Sequence, residues 1–315
     1  MTDLEFVTMQ NSTSVRSRQA PWAIRAMRPA LAALSALAPG LAAGVAERMF
    51  LTAPRYPRSP HEVAALDTAR RTLVDAGGSP IAAWTWGHGP AVLLVHGWGG
   101  RGTQLAGFVP PLVAAGCSVV TFDAPGHGSS PERRSSLVAF VEAIHAVHRA
   151  LGPVRAVIGH SIGGAATAVA LRDGLHADAA VFVAPPADLT LHADLALDTL
   201  GFGRRARQLT RERIERRLGV PWSALDVAGF APRMRTPLLV LHDRDDAEVP
   251  WQEGAIIAQA WPGATLSTTS GLGHRRVVRD AAVVREAVGF VLARLDGRLG
   301  SGAAAREPEL EASVA

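Results

Sequence analysis

From Ile81 onward the chain alternates short, continuous apolar runs with longer stretches of helical periodicity, and this alternation limits the fold more than any other feature. The runs are Ile81–Trp86, Ala91–His96, Ser118–Phe122, Val154–Ile158, Ala179–Val183 and Leu238–Leu241; helix-like stretches occupy about 103–115, 134–151, 162–175 and 279–295. Short runs without polar alternation read as strands covered on both faces, and the helical segments between them supply the crossovers that parallel neighbours need. The expectation is an α/β fold with a mostly parallel central sheet and helices on both faces. Residues 186–233 break the rhythm with helical, arginine-rich sequence and no convincing strand. They read as a small helical insertion over one edge of the sheet, dividing the core into 70–185 and 234–297.

Ahead of the core, residues 1–20 are polar and read as a flexible terminus, and 21–69 as a helical segment packed on the core. Ile24, Met27, Leu31, Leu34 and Leu37 recur at steps of three and four; Pro39-Gly40 interrupts, and Leu41, Val45 and Met49 resume the spacing. A signal peptide or membrane anchor fits poorly, because Asp3 and Glu5 lie in a long polar lead and Pro-Gly breaks the apolar run. A helix lying on a membrane surface is an alternative, less favoured than packing. The tail, 298–315, is rich in glycine and alanine, then acidic, and reads as disordered.

At 48% hydrophobic and 19% charged residues the 315-residue chain reads as ordered and able to bury a sizeable core. Its pI near 10.6 has a trivial origin. The sequence contains no lysine, so all 32 basic residues are arginines, which hold their charge to very high pH, while the net charge at pH 7 is only +4. That is no case for nucleic acid as a partner. The missing lysine also excludes Schiff-base, P-loop and serine-lysine chemistry. The single cysteine, Cys117, cannot form an internal disulfide and heads the run Cys117-Ser-Val-Val-Thr-Phe122, so it reads as core rather than nucleophile. A reducing, cytoplasmic compartment is expected.

The strongest local signal is Gly159-His160-Ser161-Ile162-Gly163-Gly164, set between the strand-like Val154–Ile158 and the helix-like Ala165–Arg172. This is the context of a G-x-S-x-G nucleophile elbow. The turn is tight enough to require glycine at 159 and 163, and it lifts the Ser161 hydroxyl clear with a helix amino terminus behind it. Upstream, Ala91–Val95 runs directly into His96-Gly97-Trp98-Gly99-Gly100. Attack on a carbonyl creates an oxyanion that needs backbone donors already in place. The candidates are the amides of Ile162 and Trp98.

Five motifs occur in order: His96-Gly97-Trp98, Asp123-Ala-Pro-Gly126-His-Gly128-Ser129, Gly159-His-Ser161-Ile-Gly163, Asp246-Ala-Glu-Val249-Pro250 and Gly273-His274. With them the chain resembles the α/β-hydrolase family from about Ile81 to Phe290, most closely its capped, single-domain esterase, lipase and peroxidase-like branch. The resemblance implies an α/β-hydrolase fold in which 186–233 caps the site, and it makes Asp123–Ser129 a loop-stabilising turn.

A serine hydroxyl needs a histidine to take its proton and a carboxylate to hold that histidine. In the family the order is serine, acid, histidine. Four acidic residues compete after Leu238–Leu241: Asp243, Asp245, Asp246 and Glu248. The match to the family's Asp-x-x-Val-Pro ending selects Asp246, with Asp243 as runner-up because it stands where many relatives carry glycine. After the strand-like Ala264–Thr268 comes Gly271-Leu-Gly273-His274, and His274 is the expected base. His96, His127, His160 and His242 lie near these motifs and read as hydrogen-bonding loop residues.

The expected chemistry is hydrolysis of a small carboxylic ester, or a related acyl compound, through an acyl-enzyme, with no cofactor and no metal. Thioester, C–C bond or peptide cleavage and perhydrolysis use the same three groups and stay open, as does a non-catalytic ligand-binding protein on the same fold. Epoxide and haloalkane hydrolysis are disfavoured because those relatives carry aspartate where Ser161 stands. Leucines 189, 191, 195, 197 and 200 suggest an apolar lining for an acyl group. Residues 204–217 carry seven arginines against two glutamates, either a solvated face with pairs along the helix or a basic lip for an anionic substrate. The oligomeric state is left open.

Overall fold

The computed structural model describes residues 22–303. In chain order the helices are α1 (Trp22–Leu37), α2 (Pro39–Phe50), α3 (Pro60–Asp67), α4 (Val109–Ala114), α5 (Leu137–Leu151), α6 (Ile162–Arg172), α7 (Leu189–Thr199), α8 (Arg204–Leu218), α9 (Val227–Phe230), α10 (Trp251–Ala260), α11 (Gly273–Arg276) and α12 (Ala281–Ala303). The strands are β1 (Arg70–Ala76), β2 (Ser79–Trp86), β3 (Ala91–Val95), β4 (Ser118–Phe122), β5 (Val154–His160), β6 (Ala179–Val183), β7 (Leu238–Asp243) and β8 (Thr265–Thr269). They form one sheet in the order β1-β2-β4-β3-β5-β6-β7-β8. The β1–β2 and β2–β4 pairings are antiparallel and the remaining five parallel.

Both faces of the sheet are covered. Along β3, Leu93 and Val95 enter a core shared with α5 and α6, through Phe140, Ile144, Ala165 and Ala168. Val92 and Leu94 point the other way, into a core closed by α4 and α12 through Leu112, Val284 and Val291. This two-sided burial is why the central strands carry no polar alternation. β1 lacks such a run because it is an edge strand with four of its seven residues exposed, and it joins β2 through Gly77-Gly78, both at positive φ (+67° and +87°) as a two-residue hairpin requires. α12 extends past the expected boundary at 297 to Ala303; no proline occurs before Pro308 to stop the helical backbone. Residues 1–20 and 304–315, read from sequence as flexible and disordered, lie outside the described residues. Among the described residues, no helix is long and apolar enough to cross a membrane.

α7 and α8 lie between β6 and β7. The N-terminal pair does not sit on the sheet: Leu31 of α1 and Ala42 and Ala46 of α2 share a separate buried cluster with Leu197, Phe202 and Ala206 of the insertion. α3 packs on the core instead. Ser59 and Glu62 form a reciprocal capping box at its start, and the buried Glu62 carboxylate accepts from Arg101 at 2.5 Å and Thr103 at 3.2 Å. Burial opposes ionisation of Glu62, but these bonds and the Arg101 charge outweigh it and hold its pKa down at about 2.

The turn Asp123–Ser129 is built around one carboxylate. Asp123 accepts from the Gly102 amide (2.9 Å), the Ser129 amide (2.7 Å) and Arg58 (2.5 Å). Gly128 lies against that carboxylate at φ +45°, where a Cβ would overlap it, whereas Gly152 (φ +100°) has open space around it. Gly152→Ala should therefore cost only backbone strain, of order 1–3 kcal/mol, and Gly128→Ala more, because it also displaces a buried, multiply bonded carboxylate. Urea unfolding of the two variants checks this; equal midpoints would mean that the turn does not depend on Asp123.

Candidate active site

β5 delivers the chain to Ser161 and α6 takes it away. Between them Ser161 adopts φ +54°, ψ −127°, a conformation that costs a residue with a Cβ of order 1–3 kcal/mol. Its amide is tied to the Val183 carbonyl at 2.8 Å, and its own carbonyl accepts from Gly164 and Ala165. A Cβ at Gly159 would lie 2.7 Å from the Gly163 carbonyl oxygen, and one at Gly163 would lie 2.5 Å from the carbonyl oxygens of Val95 and His96. The two glycines are thus required by backbone packed on backbone, where no side chain can move aside.

His274 opens in the first turn of α11, directly after Gly273 at φ +66°. Its Nε2 lies 3.0 Å from Ser161 Oγ and its Nδ1 2.7 Å from Asp246 Oδ2. Asp246 is buried, and its Oδ1 accepts from the amides of Glu248 (2.8 Å) and Val249 (2.9 Å). Burial alone would raise the Asp246 pKa; hydrogen bonds from His242 and His274, the His274 charge and the Val249 amide outweigh it and hold the carboxyl well below its ordinary value. An ionised Asp246 accepts a hydrogen bond from Nδ1–H, which leaves Nε2 to accept from the serine hydroxyl. Three side chains separated by up to 113 residues meet in one hydrogen-bonded row.

Asp243, the other acid considered, does not reach the imidazole. Its Oδ1 accepts from the amides of Gly273 (2.9 Å) and Asp245 (3.0 Å), and its Oδ2 from Thr269 Oγ1 (2.7 Å) and the Leu272 amide (3.1 Å). It fastens the loop that presents His274. His242 donates from Nε2 to the Val249 carbonyl at 3.0 Å, with Asp246 Oδ2 at 3.4 Å from the same nitrogen.

The loop after β3 lies against the elbow: a Cβ at Gly97 would come within 3.1 Å of Ser161 Cβ. Trp98 and Ile162 both line the cavity that Ser161 and His274 open into, and Ile162, as the first residue of α6, has an amide outside the helical ladder. Beneath the loop His96 donates from Nδ1 to the Gly97 carbonyl and accepts at Nε2 from the Ala124 amide, which fixes one neutral tautomer. His127 packs edge-on against Trp98 with ring centroids 5.2 Å apart. His160 donates from Nε2 to the His274 carbonyl at 2.9 Å.

The cavity has a volume of ≈ 440 Å³ and an apolar lining. α7, α8 and the turn after them supply Leu189, Leu197, Ile214 and Trp222. Met49, Phe50 and Leu51, from the end of α2, line it as well. Sequence reading missed these three: helical spacing groups Met49 with Leu41 and Val45, yet those two are exposed and only the end of the helix reaches the cavity. The arginine-rich α8 resolves in the same way. Arg207 and Arg211 pair with Asp198 and Asp194 of α7, and Arg213 and Arg217 with Glu47 of α2. Among the described residues, no group of three or more His, Cys, Asp or Glu side chains is arranged to hold a metal ion.

The model of the alpha/beta hydrolase family matches residues 92–287. The chain belongs to this family. Over 249 residues it is 31% identical to a pimeloyl-[acyl-carrier protein] methyl ester esterase from Xanthomonas campestris, a match covering 66% of this chain and 97% of that protein. A shorter match, 51% identical over 47 residues, covers 15% of this chain and spans only 18% of a protein of the same name from Methylococcus capsulatus. Among solved structures, a bromoperoxidase from Bacillus anthracis superimposes with a TM-score of 0.54 at 21% identity, over 71% of this chain and 100% of that one, which is a likeness of fold.

In this alpha/beta hydrolase family member three buried histidines stay neutral. Burial pushes His96 down to about 4; burial and then the neighbouring ring (His96 for His127, His274 for His160) push the other two down to about 3. An unfolded histidine takes up its proton near pH 6.5. Below that pH the unfolded chain therefore binds more protons than the folded one, and stability falls towards the folded values by up to about 1.4 kcal/mol per pH unit for each ring. The urea midpoint should drop between pH 7 and pH 5, before carboxylates protonate. An unchanged midpoint would show that these rings are charged in the folded protein.

Proposed function

We propose that the protein is a serine hydrolase that cleaves small carboxylic esters through an acyl-enzyme, with Ser161 as nucleophile, His274 as general base and Asp246 as the acid that holds it. The observation that carries this reading is the row Asp246–His274–Ser161, bonded at 2.7 and 3.0 Å, at the mouth of an apolar cavity.

Ser161 Oγ attacks the ester carbonyl carbon as its proton passes to His274 Nε2; the carbonyl π pair moves onto oxygen, where the amides of Trp98 and Ile162 stabilise it. Collapse expels the alkoxide, which takes the proton from His274 and leaves as the alcohol. Water then repeats the sequence on the acyl-serine, with His274 as its base, and releases the carboxylic acid. Asp246 remains ionised throughout and stabilises the imidazolium. The apolar lining supports an acyl group as the buried portion of the substrate, and the relatives named as methyl ester esterases support an ester as the bond cleaved. Thioesters are the second reading, since the same lining accepts their acyl group.

Ser161→Ala should abolish hydrolysis of p-nitrophenyl butyrate and labelling by a fluorophosphonate while leaving the circular dichroism spectrum unchanged. Persistent turnover would remove Ser161 from its role. Asp246→Asn should lower kcat by about 10⁴, the cost of the wrong imidazole tautomer. Asp243→Asn should lower the unfolding midpoint and spare more of kcat; were it the more damaging change to kcat, the acid would be misassigned.

A further inference from the structure

The N-terminal helices meet the insertion at three levels. The first is polar, where the buried Glu47 carboxylate accepts from Arg213 at 2.7 Å and from Arg217. Burial opposes its ionisation, but the bonds and charges of Arg217 and Arg213 prevail and keep its pKa below the ordinary value. The second is the apolar cluster Leu31, Ala42, Ala46, Leu197, Phe202 and Ala206, with Gly203 packed on Ser35. At the cavity, Phe50 meets Trp222 edge to face with centroids 5.9 Å apart, within a group that includes Ala193, Ile214, Leu189 and Leu218. Trp222 is itself held, donating from its amide to Glu215 at 2.9 Å and from Nε1 to the Arg211 carbonyl at 3.3 Å. The other end of the α2 junction is fixed to the core, where the Leu51 carbonyl accepts from the Ser135 amide at 2.8 Å beside the lining residues Ser136 and Leu137.

One wall of the cavity is therefore made jointly by two segments more than 130 residues apart, and one of them precedes the family-matched region, which starts at residue 92. We infer that α1 and α2 form the second half of the substrate lid, and that Phe50, seated against Trp222, is the specificity-determining residue that bounds the acyl group of the ester. The inference rests on the ester-hydrolase reading for its substrate class. The Phe50 ring restricts space and makes no contact with the reacting atoms. Its removal should change which acyl chains fit.

The test compares wild type and Phe50→Ala on p-nitrophenyl esters from acetate to dodecanoate. Discrimination by apolar pockets is worth about 10–200-fold. The ratio of kcat/KM for dodecanoate over acetate should rise at least about tenfold in Phe50→Ala. Phe50→Trp should move the ratio the other way. In parallel, calorimetry measures dodecanoate binding to Ser161→Ala and to Ser161→Ala/Phe50→Ala, with the double variant expected to bind about tenfold more tightly. Superimposable chain-length profiles together with equal dodecanoate binding, including no binding by either protein, would overturn the inference. A uniform loss at every chain length would also overturn it, since Phe50 would then only support the helices. If wild type cleaves no ester, the ester reading fails while the binding arm still decides the role of Phe50.

Discussion

The backbone at Ser161 is the constraint from which the rest of the site follows. A residue with a Cβ sits in a positive-φ conformation that unrestrained chains avoid, and it stays there because its surroundings leave no alternative. Its amide is bonded across to β6, its carbonyl starts α6, and Gly159 and Gly163 let three backbone segments close to contact. The strain is offset by the packing around it, where β5 is paired on both sides by the parallel strands β3 and β6. What it secures is a hydroxyl held clear of its own backbone, at the one point where a histidine from a distant loop can reach it.

That loop shows why two neighbouring carboxylates take different parts. Asp243 closes β7 and bonds only to groups around it and to the segment just before His274, so its lone pairs are spent on holding backbone. Asp246, three residues on, directs one oxygen to two amides and the other to His274 at 2.7 Å, with His242 Nε2 at 3.4 Å. Both are held in the ionised form, each against the cost of burial. The division of labour is a matter of direction, not acidity. The buried histidines behave in a comparable way: His96 and His160 serve as neutral rings that bond to loop carbonyls, and their low pKa values keep extra charge away from the proposed base.

Where a residue's role follows from local sterics or short-range order, the sequence reveals it. Two-sided burial makes continuous apolar runs, so the central strands could be read directly; glycine spacing around Ser161 marks a turn that few other sequences permit. Edge strand β1 escaped because half-exposed residues leave no such run, and α10 because its short amphipathic stretch follows a loop dominated by charge. Asp246 was distinguished from Asp243 by family pattern rather than by physics, since the hydrogen bonds that separate them depend on residues about 30 positions away. The contribution of α2 to the cavity was not legible at all. The helical spacing marks Leu37, Leu41 and Val45, which are exposed, whereas α2 buries Ala42, Ala43 and Ala46 instead.

The arginines of α8 make the same point for charge. A run of seven like charges in 14 positions suggests either solvent or an anionic ligand, yet four of them are paired with carboxylates on α2 and α7. Exposed pairs of this kind contribute little stability individually. Glu47 differs because its carboxylate is buried while the guanidinium groups reach it from the half-exposed surface. A buried anion with two cations is held in place, and beside it Ala42, Ala46 and Ala206 let the helices approach closely while Leu31, Leu197 and Phe202 fill the cluster. Glu47 and Phe50 stand three residues apart on α2, so the ion pairs to α8 and the ring contact with Trp222 belong to the same register of α2 on the insertion.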